Sequence, residues 1–80
     1  MLIITEDKVL INWDNIIAVY TKYKEIDNVY ILVAMCNDNH HMRLVSCKNE
    51  DEAERLKNIL INECLNNSKI VTFNKTINLK

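Results

Sequence analysis

The segment from Cys36 to Cys47, CNDNHHMRLVSC, holds two cysteines and two adjacent histidines, the side chains from which zinc sites are built. Their spacing argues against a shared metal. With Asp38-Asn39 as a two-residue hairpin turn, Cys36 pairs with His41, Ala34 with Arg43, Leu32 with Val45 and Tyr30 with Cys47. Cys47 then sits roughly 20 Å along the strand from His41, at about 3.3 Å per residue. A zinc ion needs its ligands within about 2.3 Å, and the paired C-x-x-C spacing is missing. The segment therefore reads as a hairpin with His40 and His41 solvated near its tip, and no metal is expected.

Other chemistry is equally thin. The chain has no glycine, so it has neither a phosphate-cradling loop nor a dinucleotide fingerprint. Ser46 and Ser68 lie in no nucleophile motif. Cys36 and Cys47 fall on strands, without the helix N-terminus or basic neighbour that activates a thiol. Glu50, Asp51, Glu52 and Glu54 suit the start of a helix better than acid–base work. No catalytic residue and no cofactor is expected.

The elements that position these residues follow from β-branched runs and Asn/Asp breaks, because proline is absent too. Leu2-Ile3-Ile4-Thr5 and Val9-Leu10-Ile11 read as short strands, Ile16 to Lys24 as a longer one. Val29 to Cys36 reads as a central strand and His41 to Cys47 as its hairpin partner. Asn49 can cap a helix over about residues 50–66, with Glu52 completing a capping box. Ala53, Leu56, Leu60 and Cys64 form its apolar stripe, and Asn66-Asn67-Ser68 ends it. Ile70 to Phe73 and Thr76 to Leu79 read as extended. Short turns make the strands before the helix antiparallel. The expected fold is α+β: one domain over residues 1–80, with a mostly antiparallel five- to six-stranded sheet packed on a single helix.

A three-residue loop at Glu25-Ile26-Asp27 puts Ile17, Val19, Thr21 and Tyr23 beside Val29, Ile31, Val33 and Met35, with Met42, Leu44 and Ser46 on the same face. This face is expected under the helix, leaving Lys22 and Lys24 outside. The opposite face then carries Ile16, Ala18, Tyr20, Lys22, Tyr30, Leu32, Ala34, Cys36, His41, Arg43, Val45 and Cys47. That mixture of aromatic, aliphatic and basic side chains is enriched where proteins meet. Either the first strands and C-terminal segment cover it, or it is a partner or homodimer surface. Ile59, Ile61 and Leu65 widen the helix's apolar arc; Phe73 and Ile77 cover them, or another chain does.

Composition narrows the partner. A net charge of −1 gives no general attraction to nucleic acid or anionic lipid. Tyr20, Tyr30, Lys22 and Arg43 together could stack and hold bases, which makes a nucleic-acid accessory role the alternative. No apolar run approaches a membrane span, and Met1-Leu2-Ile3-Ile4 lacks a basic leader. Three irregularly spaced cysteines fit a reducing, cytoplasmic setting. Heavy use of Asn, Ile and Lys points to a low-GC bacterial or phage genome.

The step Leu10-Ile11-Asn12-Trp13-Asp14-Asn15-Ile16, followed by Val19-Tyr20 and, after a long hairpin, by Glu52-Ala53-Glu54, resembles a pattern in small proteins of low-GC Gram-positive bacteria and their phages. The resemblance spans residues 1–65. It implies a reduced pleckstrin-homology-like sheet capped by one helix, and a mobile-element context in which chains of this size inhibit host defence. The expectation is a non-catalytic protein-binding module, an anti-CRISPR-like inhibitor of a host defence complex. Its expected contacts are Tyr20, Lys22, Tyr30, Leu32 and Arg43, with Trp13 as an aromatic anchor or a plug at one end of the sheet.

Overall fold

Asparagine makes most of the turns that glycine usually makes. Lys8, Asn28, Asn39 and Asn67 adopt left-handed backbone, with φ of 68°, 51°, 68° and 58°. In the computed structural model, which describes residues 1–74, these turns separate six strands and one helix. The strands are β1 (Leu2–Ile4), β2 (Leu10–Asn12), β3 (Ile16–Lys24), β4 (Val29–Cys36), β5 (His41–Cys47) and β6 (Ile70–Thr72). Helix α1 runs Glu50–Leu65, and a 3-10 turn, Trp13–Asn15, links β2 to β3. The expected extended segment Thr76 to Leu79, with Ile77, lies outside the described residues.

The α+β class holds, but the single sheet of five to six strands does not. Two three-stranded sheets form instead, ordered β2-β1-β6 and β3-β4-β5. The 3-10 turn reorients the chain after β2, so among the described residues β2 pairs only with β1. After the helix the chain returns to β1, and β6 joins it in parallel, with Ile3 opposite Val71. The sheets are tied at Glu6. Its backbone N–H donates to the Leu44 carbonyl at 2.9 Å, and its buried carboxylate accepts from the Ser46 N–H at 2.7 Å.

The helix forms where its end signals place it. Asn49 has extended backbone, and its Oδ1 accepts from the Glu52 N–H at 2.8 Å. Left-handed Asn67 ends the helix, and the Ser68 N–H donates back to the Glu63 carbonyl at 3.0 Å. Ala53 and Leu60 of the stripe are buried; Leu56 and Cys64 are half-buried.

The helix covers β3 and the start of β5 on the expected face, where Val19, Met42 and Leu44 join its core, but it covers β4 and the end of β5 on the opposite one. Its core partners are Leu32, Ala34, Cys36, Val45 and Cys47, together with Ile3, Ile11, Val71 and Phe73. Val29, Ile31 and Val33 form a separate small cluster on the other face, with Tyr20 against them. Two loop details cause the inversion. The β3–β4 connection is four residues, Glu25 to Asn28, so Lys24 rather than Tyr23 opposes Val29. Before β5, Met35 rather than Cys36 opposes His41, and a bulge at Leu44 restores the expected pairs Leu32–Val45 and Tyr30–Cys47. A one-residue slip exchanges the two faces of a strand. Ala34, Cys36 and Ala53 are small enough for the helix to lie close, and all are buried.

Candidate protein-binding site

A groove of about 280 Å³ runs between the first half of β3 and the second half of α1. Trp13, Ile16, Ile17, Ala18 and Val19 line one wall; Leu60, Ile61 and the Lys57 side chain line the other. No residue of β4 or β5 lines it, so it opens at the edge of β3 that no strand pairs among the described residues. Its shape comes from local sequence. The 3-10 turn, whose start is held by the Asn12 Oδ1 accepting from the Asp14 N–H at 3.0 Å, places Trp13 at the groove's end. A β-bulge between Ile16 and Ala18 turns Ile17 outward, 60% exposed. Ile61 faces it from the flank of α1, 45% exposed.

The expected contact residues do not all share a surface. Tyr20, Lys22 and Arg43 do lie together on the sheet face away from the helix, with Lys24 and His41, around a shallow concavity over Ile31 and Val33. Tyr30 and Leu32 belong to the opposite face. Leu32 is fully buried under the helix, and Tyr30 packs on that core while its ring meets Tyr23 at 4.9 Å. The base-stacking surface of Tyr20, Tyr30 and Arg43 therefore does not assemble. Trp13 is half-buried and stands at the groove, apart from Tyr20 and Lys22.

Charge on the outer face is mostly engaged. The Arg43 guanidinium donates to Asp7 at 2.8 Å, and its Nε is 4.0 Å from the buried Glu6 carboxylate. The hydrogen bond to Asp7 raises the Arg43 pKa above its usual value. Tyr20 Oη and His41 Nδ1 lie 2.7 Å apart. Lys24 pairs with Asp27 at 3.1 Å, while Lys22 is exposed and makes no ion pair among the described residues.

The hairpin that prompted the zinc question keeps its ligand types apart. Cys36 and Cys47 are buried, and His40 Nδ1 lies 2.7 Å from the Asp38 carboxylate, whose pKa that hydrogen bond lowers. No group of three or more His, Cys, Asp or Glu side chains converges among the described residues. Burial, reinforced by the Glu52 and Glu6 carboxylates, pushes the Cys47 thiol up to about 11, which makes it a poor nucleophile.

Sequence reasoning noticed Ile61 and Leu65 as surplus apolar surface but did not join them to Ile17. The missing signal was the bulge, because strict alternation places Ile17 inside. It also missed Glu6, a carboxylate in what reads as a surface turn. No helix among the described residues is long and apolar enough to cross a membrane. Compared with known proteins, the chain matches no family model, no curated protein and no solved structure.

Proposed function

We propose that this chain is a non-catalytic protein-binding module and that it binds through the groove between β3 and α1. The observation that carries this reading is the exposed apolar pair Ile17 and Ile61 beside Trp13, at a sheet edge. An apolar centre with an aromatic anchor and a charged rim is the anatomy of a protein contact. Lys57, paired with Glu54 at 3.1 Å, supplies the charged rim, and Lys22, Tyr20 and Arg43 lie on the neighbouring face. The resemblance of residues 10–20 gives the reading its biological form, a phage- or prophage-derived inhibitor that occludes a host defence complex.

The test is recovery of a partner on the tagged chain, compared between the natural sequence and Ile17→Asp or Ile61→Asp. Both changes lie on exposed positions, so the fold persists and partner recovery falls at least tenfold. Unchanged recovery with both variants sinks the groove as the contact surface. The inhibitor form is tested by expressing the chain in bacteria with an active CRISPR system. Restored plaquing by a targeted phage supports it, and unaltered immunity overturns it.

A further inference from the structure

We infer that the partner is presented as an extended strand of alternating apolar and acidic residues, added to the free edge of β3. This rests on the groove being a protein-binding surface and specifies what it takes. Three observations carry it. First, β3 is nine residues long, and β4 is its sole strand neighbour among the described residues, so one row of backbone N–H and C=O groups is left for a further strand. Second, the two faces of that edge differ. Val19 faces the helix and opens onto the groove, whereas Lys22 and Lys24 stand on the opposite face beside Ile31 and Val29. An added strand meets Val19, Thr21 and Tyr23 on one face and Tyr20 followed by the ammonium groups of Lys22 and Lys24 on the other. Third, the charges of β3 itself are all cationic: it holds Lys22 and Lys24 and no carboxylate, and Lys22 makes no ion pair among the described residues, whereas Lys24 pairs with Asp27 and Lys57 with Glu54.

Charge also separates the alternative occupants. A second copy would bring another Lys22 and Lys24 to the same ladder, with no Asp or Glu from either strand. The chain's own residues 75–80 contain Lys75 and Lys80 and no Asp or Glu. Lysines on an edge discourage indiscriminate pairing, and a strand that brings carboxylates removes that penalty selectively. The bulge at Ile17 confines the regular ladder to Ala18–Lys24. The strand accordingly spans about seven residues, with one apolar side chain reaching past the bulge toward Trp13.

The probe is a fluorescein-labelled seven-residue peptide alternating valine and glutamate, titrated with the full chain by fluorescence anisotropy at low salt. It binds, and the double variant Lys22→Glu/Lys24→Glu weakens it at least tenfold. A valine–lysine peptide shows the reverse preference, favouring the charge-reversed variant. N-methylation of the peptide amides that face β3 abolishes binding while leaving side chains unchanged. Equal binding of the two peptides, indifference to N-methylation, or no binding of the acidic peptide overturns the inference. So does concentration-dependent dimerisation, seen by light scattering and removed by Ile17→Asp, because a second copy then occupies the edge. These results are separable from failure of the groove itself, which shows as partner recovery unaffected by Ile17→Asp and Ile61→Asp.

Discussion

The two edges of the β3-β4-β5 sheet are finished differently. At β5, Glu6 supplies a backbone donor to Leu44 and a carboxylate to Ser46, Asp7 pairs with Arg43, and the strand runs through Lys48 into a capped helix. At β3, the edge carries exposed lysines, an outward-turned Ile17 and an apolar groove. One edge is tied to the rest of the chain by buried polar contacts, and the other has surface to offer. In an 80-residue chain, where burial leaves a small stability margin, that division lets function occupy one side without loosening the other. It follows that substitutions at β5 should change stability, whereas those at β3 should change binding.

The largest effect is expected at Glu6. Glu6→Ala leaves the Ser46 N–H buried without its charged acceptor and leaves Arg43 facing only Asp7. Loss of a buried charge-assisted bond costs about 2–3 kcal/mol, read as a lower urea midpoint. A cost below about 0.5 kcal/mol, typical of exposed sites, would mean that β5 is no better tied than β3. Glu6→Gln retains an acceptor oxygen and should recover part of the loss.

The next effect is a pH dependence centred on Cys47. The fold favours its neutral thiol, so the ordinary value of 9.0 rises to about 11. The corresponding stability is complete below pH 9 and is lost as pH climbs through about 11. Tyrosines and lysines titrate in the same interval, so the measurement is a difference: Cys47→Ala should flatten the fall in urea midpoint between pH 9 and pH 11. An identical fall in both chains would place Cys47 outside the closed side's electrostatics.

The sequence was most readable where local chemistry decides structure. Asn49 and Glu52 announce the helix start, and β-branched runs mark β3, β4 and β5 nearly residue by residue. The facing of β4 was not readable, because it is apolar on both sides: Leu32 and Ala34 form one apolar row, and Ile31 and Val33 the other. Alternation cannot choose between such faces, and the choice passed to turn lengths that glycine-free turns do not advertise. One extra loop residue, Asn28, and one bulge residue, Leu44, sent Tyr30 and Leu32 under the helix and left Tyr20 and Lys22 outside. The parallel pairing of β6 with β1 depends on a distant return of the chain, which no local pattern encodes. Glu6 was invisible for a similar reason, since its burial comes from β5 and not from its neighbours in sequence.

A smaller effect is expected at the helix start, where the closed side continues. Asn49→Ala removes the side-chain acceptor for the Glu52 N–H and should cost about 1 kcal/mol. Asn49→Ser or Asn49→Asp should restore most of it. Equal melting temperatures for Asn49→Ala and the natural chain would show that packing of Ala53 and Leu60 alone defines where the helix begins.

The smallest stability effect, and the most diagnostic, is expected at Ile17. The side chain is 60% exposed on a bulge, so Ile17→Asp removes little buried surface and should shift stability by less than about 0.5 kcal/mol. The bulge has already released Ile17 from the alternation of β3, so a polar residue there disturbs neither ladder nor core. The same substitution places a carboxylate in the groove, where an apolar partner residue would have to desolvate it. A near-silent urea curve combined with lost binding is the signature of a surface kept for contact. Were Ile17→Asp instead to destabilise the fold by about 2 kcal/mol, Ile17 would be serving the chain's own packing. The open edge would then be as much a part of the scaffold as the one that Glu6 closes.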